Sequence, residues 1–143
     1  MKLFADANIL VSVLNKEYPG FPHNARILSL ADTPRHRVFT SPVCLAIAFY
    51  FAEKKYRAQS AKQRIHTLCQ HIEIAEISQA AVRSALSDPA VKDFEDGLEY
   101  YSALDAGCDC IITDNSSDFY FSKIEVLSGL GFYERYMSRP GKL

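Results

Sequence analysis

Three groups of acidic residues stand far apart in this chain: Asp6; the set Asp93, Glu95, Asp96 and Glu99; and the pair Asp114 and Asp118. Carboxylates that converge from distant segments make a hard oxygen site. Mg²⁺ suits such a site, because it takes few carboxylates and keeps several waters. One or two such ions can activate a water and stabilise the charge on a phosphodiester. Without the ion, mutual repulsion would raise the pKa values of crowded carboxyls. Each acid also has a plainer role. Asp93 suits an N-cap, and Asp96, three residues on, is favoured there by the helix dipole. Asp6 or Asn8 suits a cap, and Asp118 a turn. Asp93 and Asp96 share a face if both are helical, and Glu99 reads as a surface charge.

The elements that must position these acids can be read in order. Leu3 to Ala5 is a short buried strand that Asp6 closes, and Asn8 opens the helical run ILVSVLN. Pro19, Gly20 and Pro22 make a turn-rich break. A helix follows from His23 to Ala31, then a polar loop and a strand from Val38. Ser41 and Pro42 are a strong helix start, and VCLAIAFYFAEKKY enters the core before its charged end emerges. A weak break at Ala58 to Ser60 precedes a helix from Ala61 to Ile72. IEIAEIS alternates like a strand, and Ser78 caps a short helix that ends at Asp88-Pro89. The acidic helix from Asp93 ends at Gly107, and CDCIIT is a buried strand that the polar turn DNSSDF leaves. KIEVLS is a last strand, and FYERYMS a terminal amphipathic helix. Short apolar strands alternating with helices imply a three-layer α/β/α fold around a mostly parallel sheet. One domain is expected over residues 1–138, with a short tail at 139–143. If the sheet is parallel, Asp6 and the polar turn lie at its carboxyl edge, where open α/β sheets place their sites.

At 143 residues the chain suits one core, and 48% hydrophobic with 23% charged residues is an ordinary globular composition. No apolar run reaches the roughly 18 residues that span a bilayer. Met1-Lys2 leads directly into the first apolar run, so a cytoplasmic location is expected, with four buried free thiols in no framework spacing. A net charge of −1 does not favour a protein that holds duplex nucleic acid mainly through phosphates. There is no G-x-S-x-G, P-loop, Rossmann glycine fingerprint or H-E-x-x-H, and His66 and His71 are five apart, off one helical face.

The order strand–D–x–N, helix–D, strand–T–x–N–x–x–D–F is more specific than any single acid. In LFADANIL, DFEDGLEYYSAL and CDCIITDNSSDF the sequence resembles the PIN domain family, whose familiar members are VapC-type toxins of bacterial toxin–antitoxin pairs. The resemblance runs from Met1 to about Phe132. It implies a central parallel sheet with acids that bind Mg²⁺ or Mn²⁺ for RNA cleavage. By motif position Asp6 matches the first acid and Asp96 the third. Thr113, Asn115 and Asp118 match the turn that completes the site, and Asp114 falls where the family varies. The resemblance thus implies Asp6, Asp96 and Asp118 as catalytic acids and, with Asn115, as metal ligands. Asn8, Thr113, Asp93, Glu95 and Asp114 support them. It also implies an RNA substrate, a cognate antitoxin that inserts a segment across the acidic cleft, and a homodimer.

One position departs from the pattern. The helix that starts at Ser41-Pro42 has Ile47 or a neighbour where the family's second acid stands. Glu53, six residues on, lies roughly 120° from that face. The site then uses fewer ligands, recruits Glu95 or Asp93, or binds metal weakly. The second reading is therefore a PIN-like module that binds RNA or protein without competent chemistry. A receiver or a haloacid-dehalogenase-like phosphatase is a third, disfavoured because the first strand lacks the necessary acid pair. Lys54, Lys55, Arg57, Lys62 and Arg64 form a basic stretch that either contacts RNA phosphates or is a solvated helix end. Tyr50, Phe51 and Tyr56 beside it could stack bases, though core packing explains Phe51 better. Gly97 inside the acidic helix costs about 1 kcal/mol against Ala unless close packing requires it.

Overall fold

A computed structural model describes residues 1–139 of the chain; the expected tail, but for its first residue, lies outside them. Five strands form one sheet in the order β3-β2-β1-β4-β5, and every neighbouring pair is parallel. They are β1 (Lys2–Ala5), β2 (Arg37–Thr40), β3 (Glu73–Ile74), β4 (Cys110–Ile112) and β5 (Glu125–Leu127). The helices are α1 (Ala7–Leu14), α2 (Phe21–Leu28), α3 (Pro42–Tyr56), α4 (Ala58–Leu68), α5 (Gln79–Ser87), α6 (Phe94–Asp105) and α7 (Gly129–Phe132). This is the α/β architecture with a parallel sheet that the alternating pattern predicts, and it agrees with the fold that the resemblance implies. No helix among the described residues is long and apolar enough to cross a membrane.

The central strands are buried on both faces, as a parallel sheet requires. Leu3, Phe4, Cys110, Ile111 and Ile112 are all wholly inaccessible to solvent. From β1 the chain moves outward on one side through β2 and β3. It then crosses back, so that β4 pairs on the other side of β1 with Phe4 opposite Ile111 and Ala5 opposite Ile112. The strand order therefore reverses between β1 and β4. The crevice outside the carboxyl ends of those two strands is the place where open α/β sheets bind ligands.

Helix boundaries follow local chemistry. Ser41 caps α3 by accepting from the Cys44 N–H at 3.2 Å, with Pro42 in the first turn. Ser78 caps α5 likewise, accepting from Ala81 N–H at 3.0 Å. Gly107 ends α6 at φ +75°, a conformation most side chains avoid. Gly97 is needed for packing. A Cβ there would lie 2.6 Å from Val91 Cγ1 and 3.0 Å from Ala85 Cβ, so its absence lets α6 close on α5.

Four expectations need correction. The break between α3 and α4 is a single residue, Arg57 at φ +71°, so α4 begins at Ala58 rather than Ala61. The alternating IEIAEIS pairs only at Glu73 and Ile74, because β3 is an edge strand with β2 as its one partner. The second helix begins at Phe21 and tightens to a 3₁₀ turn from Ser29 to Asp32. The terminal helix starts earlier, under a Ser128 cap, and widens into a π turn from Tyr133 to Met137.

Candidate functional site

Asp6 is the first residue after β1 and the N-cap of α1, and it is 6% exposed. Its Oδ1 accepts from Ala7 N–H at 2.6 Å and its Oδ2 accepts from the Thr113 hydroxyl at 2.7 Å. Thr113 follows β4 and is wholly buried. Its Oγ1 also accepts from Asn8 Nδ2 and from Asn115 N–H, both at 3.1 Å. One donor and two acceptors exhaust what a hydroxyl can do. Asn8 Oδ1 in turn accepts from Asp114 N–H at 3.1 Å. The ends of β1 and β4 are thus clasped side chain to backbone, and the Asp6 carboxylate is held rigidly at the crevice floor. Capping and convergence are not alternatives here, since Asp6 does both.

Helix α6 brings the second group. Asp93 caps it, its Oδ1 accepting from Glu95 N–H at 2.9 Å and Asp96 N–H at 3.3 Å. That aims the first turn, with Glu95 and Asp96, at the crevice. Burial is the largest cause that raises the Asp96 pKa, to about 7, followed by the charges of Asp93, Asp6, Asp118 and Glu95. The same two kinds of cause raise Glu95, burial first and then Asp6 and Asp93. An acid crowded by four others behaves as the sequence predicts for a cation-free carboxylate cluster.

Glu99 is the correction of most consequence. It is not a surface charge: it is fully buried. The Cys44 thiol on α3 donates to its Oε1 at 3.2 Å and lies 3.9 Å from Asp6 Oδ1. Burial first, then Asp6, push the Glu99 pKa up to about 11. Burial, then Glu99 and Asp6, also hold the Cys44 thiol well above its ordinary value, so that it serves as a donor. Ligand atoms of Asp6, Cys44 and Glu99 lie within 4.8 Å of one another, and so do those of Glu95, Asp96 and Glu99. The signal for Glu99 was its spacing. It stands three residues after Asp96 and four after Glu95, which places all three on one helical face. Cys44 carried no comparable signal.

Asp6, Glu95 and Asp96 of these groups line a cavity of about 490 Å³, whose lining does not include Cys44 or Glu99. Asn8, Asp114 and Asn115 add polar lining, and Val11, Tyr18, Pro19, Ile47 and Phe51 apolar lining. Ile47, where an acid would stand in the family pattern, is part of the apolar lining. Phe51 is not core as expected; the residue is 43% exposed and lines the cavity. Glu53 is exposed and outside the cavity lining. Asp118 sits exposed on a 3₁₀ turn from Ser116 to Phe119. Its charge reaches Asp96, but it is outside both compact groups.

The basic stretch does not line this cavity. Lys55 Nζ donates to the Asn15 carbonyl at the end of α1. Lys54 lies over the Tyr50 ring at 4.2 Å and Arg64 over the Tyr56 ring at 3.7 Å. Lys62 and Arg57 are exposed. Three of the five cations therefore have structural partners, and the stretch flanks the site rather than forming it.

The residues present fit a divalent cation. They are hard carboxylate oxygens, those of Asp6 and Glu99 buried and those of Asp96 half-buried, and Glu99 Oε2 accepts no hydrogen bond among the described residues. Comparison with known proteins identifies the family. Residues 2–117 match the PIN domain family. Ribonuclease VapC1 of Aquifex aeolicus is 27% identical over 139 residues, covering 94% of this chain and 95% of that protein. Solved structures share the fold. VapBC2 from Rickettsia felis, bound to a DNA fragment from its promoter, aligns at TM-score 0.66 with 18% identity over 90% of this chain and 98% of that one. VapBC-1 from nontypeable Haemophilus influenzae aligns at 0.67 with 14% identity over 91% and 99%.

Proposed function

The chain belongs to the PIN domain family, and from that premise we propose that it is a Mg²⁺- or Mn²⁺-dependent endoribonuclease, the toxin of a toxin–antitoxin pair. The observation that carries the reading is the convergence of Asp6 and the α6 acids at the β1/β4 switch point, with Thr113 and Asn8 fixing Asp6. Asp6 and Asp96 hold the metal, Asp118 and Asn115 approach from the polar turn, and Asn8 and Thr113 orient Asp6. Asp93 caps the helix that aims Glu95 and Asp96. The bound ion would supply an activated water and charge stabilisation at the scissile phosphate. The chain itself lines the cavity with Asn8 and Asn115, whose amides can donate to a phosphate, and with Phe51 and Tyr18, on which an unpaired base can stack. The relative named a ribonuclease supports the activity. Structural neighbours solved as VapBC pairs, and one titled a toxin–antitoxin complex from Klebsiella pneumoniae, support an antitoxin partner. An antitoxin segment across the acidic cleft would block it, and a homodimer and a cytoplasmic location accord with this reading.

Asp96→Asn should abolish Mn²⁺-dependent cleavage of a structured RNA, because it removes a central charge of the group. Cleavage at the wild-type rate would refute the site. Ile47 motivates the second reading, a module without chemistry. Calorimetric titration with Mn²⁺ separates the two: heat that Asp6→Ala abolishes supports the nuclease, and no heat with no cleavage supports the module.

A further inference from the structure

We infer that Glu99 of α6 takes the place of the acid that α3 lacks at Ile47, and so completes the cation site. The inference rests on the nuclease reading and names a ligand that the family pattern does not.

Three observations carry it. First, Glu99 is the member common to both compact groups, that of Asp6 with Cys44 and that of Glu95 with Asp96. It links the acid of β1 to the acids of α6, which a carboxylate from α3 would otherwise do. Second, Glu99 is fully buried, its Oε2 accepts no hydrogen bond among the described residues, and its carboxyl faces that of Asp6. A buried carboxyl oxygen that lacks a donor and faces another carboxylate is a place where a bound cation satisfies both. A divalent cation beside Asp6 is such a group. Third, α3 presents Cys44 to Glu99, one turn before Ile47. The thiol donates to Glu99 Oε1 at 3.2 Å and fixes the orientation of the carboxyl. Helix α3 thus offers a donor that holds the relocated acid, while Ile47 joins the apolar cavity lining. Cys44 is a positioning residue and Glu99 a ligand.

The test uses the full chain and Mn²⁺ as probe. Affinity is read by calorimetry and by loss of the free-ion electron paramagnetic resonance signal, and folding by circular dichroism. Glu99→Gln should weaken Mn²⁺ binding about 10–100-fold and abolish the rise in Tm that Mn²⁺ gives the wild type. Adding Ile47→Glu to Glu99→Gln should restore binding, since it returns the acid to α3. Mn²⁺ affinity in Glu99→Gln within threefold of wild type, while Asp96→Asn abolishes binding, overturns this inference and leaves the nuclease reading intact. A loss in Glu99→Gln that Ile47→Glu does not recover overturns the exchange of positions. Should Glu99→Gln fail to fold, Glu99→Asp is the substitute, and unchanged affinity in it overturns the inference equally. No Mn²⁺ binding by the wild type overturns both readings.

Discussion

Glu99→Gln should make the metal-free protein more stable, by an amount that grows with pH. The groups facing Glu99 are Asp6 at the end of β1, Cys44 on α3, and Glu95 and Asp96 on its own helix. With its pKa pushed up to about 11, Glu99 is protonated in the folded protein at neutral pH. In the unfolded chain a glutamate titrates near 4.3. The folded state therefore binds one more proton than the unfolded state from about pH 4.3 upward. Stability falls as pH rises, by about 1.4 kcal/mol per unit. Below the unfolded pKa the effect vanishes. At pH 7 it amounts to about 3–4 kcal/mol, and this holds for any folded pKa above 7. Glutamine has no proton to bind and keeps the shape, though its amide loses about 1 kcal/mol in imperfect pairing. The net gain at pH 7 is about 2 kcal/mol, a rise in Tm of roughly 5–10 °C for a domain of this size. Urea unfolding of both proteins in chelator, at pH 5.5, 6.5 and 7.5, measures it. The difference should widen by about 2.7 kcal/mol across those two pH units. A constant difference, or a variant less stable than wild type at pH 7.5, would refute the burial and protonation assigned to Glu99.

Two further outcomes follow from the packing. A Cβ at Gly97 meets Ala85 Cβ at 3.0 Å, so Gly97→Ala should destabilise the protein by about 1–3 kcal/mol despite the better helix propensity of alanine; a denaturant midpoint at or above the wild-type value would contradict the close α5–α6 approach. Phe51→Ala should weaken binding of single-stranded RNA about tenfold, as loss of one stacked base does. Because the residue is 43% exposed, the Tm should stay within 2–3 °C of wild type; a large drop in Tm with unchanged RNA binding would return Phe51 to the core.

Much of this molecule was legible in its sequence, for reasons that lie in short-range chemistry. Ser41-Pro42, Ser78, Asp93 and Gly107 mark helix ends because each satisfies or relieves a particular backbone group. The apolar runs LFA and CII mark central strands because a parallel sheet is buried on both faces. Together they placed Asp6, Thr113 and Asp96 at one sheet edge before any coordinate. What failed depends on contacts that only the fold supplies. Glu99 looks like a surface charge because glutamate in a helix nearly always is, and only the approach of Cys44 and Asp6 buries it. Phe51 looks like core because it follows an apolar run, yet α3 is long enough to leave it in the cavity lining.

The central claim is that acids from β1 and α6 together hold a catalytic divalent ion, and its most direct test is an anomalous difference map of crystals soaked in Mn²⁺. A strong peak coordinated by Asp6 and Asp96, with a Glu99 oxygen in the same shell, is the expected result. A map without a peak in this crevice at saturating Mn²⁺ would contradict it.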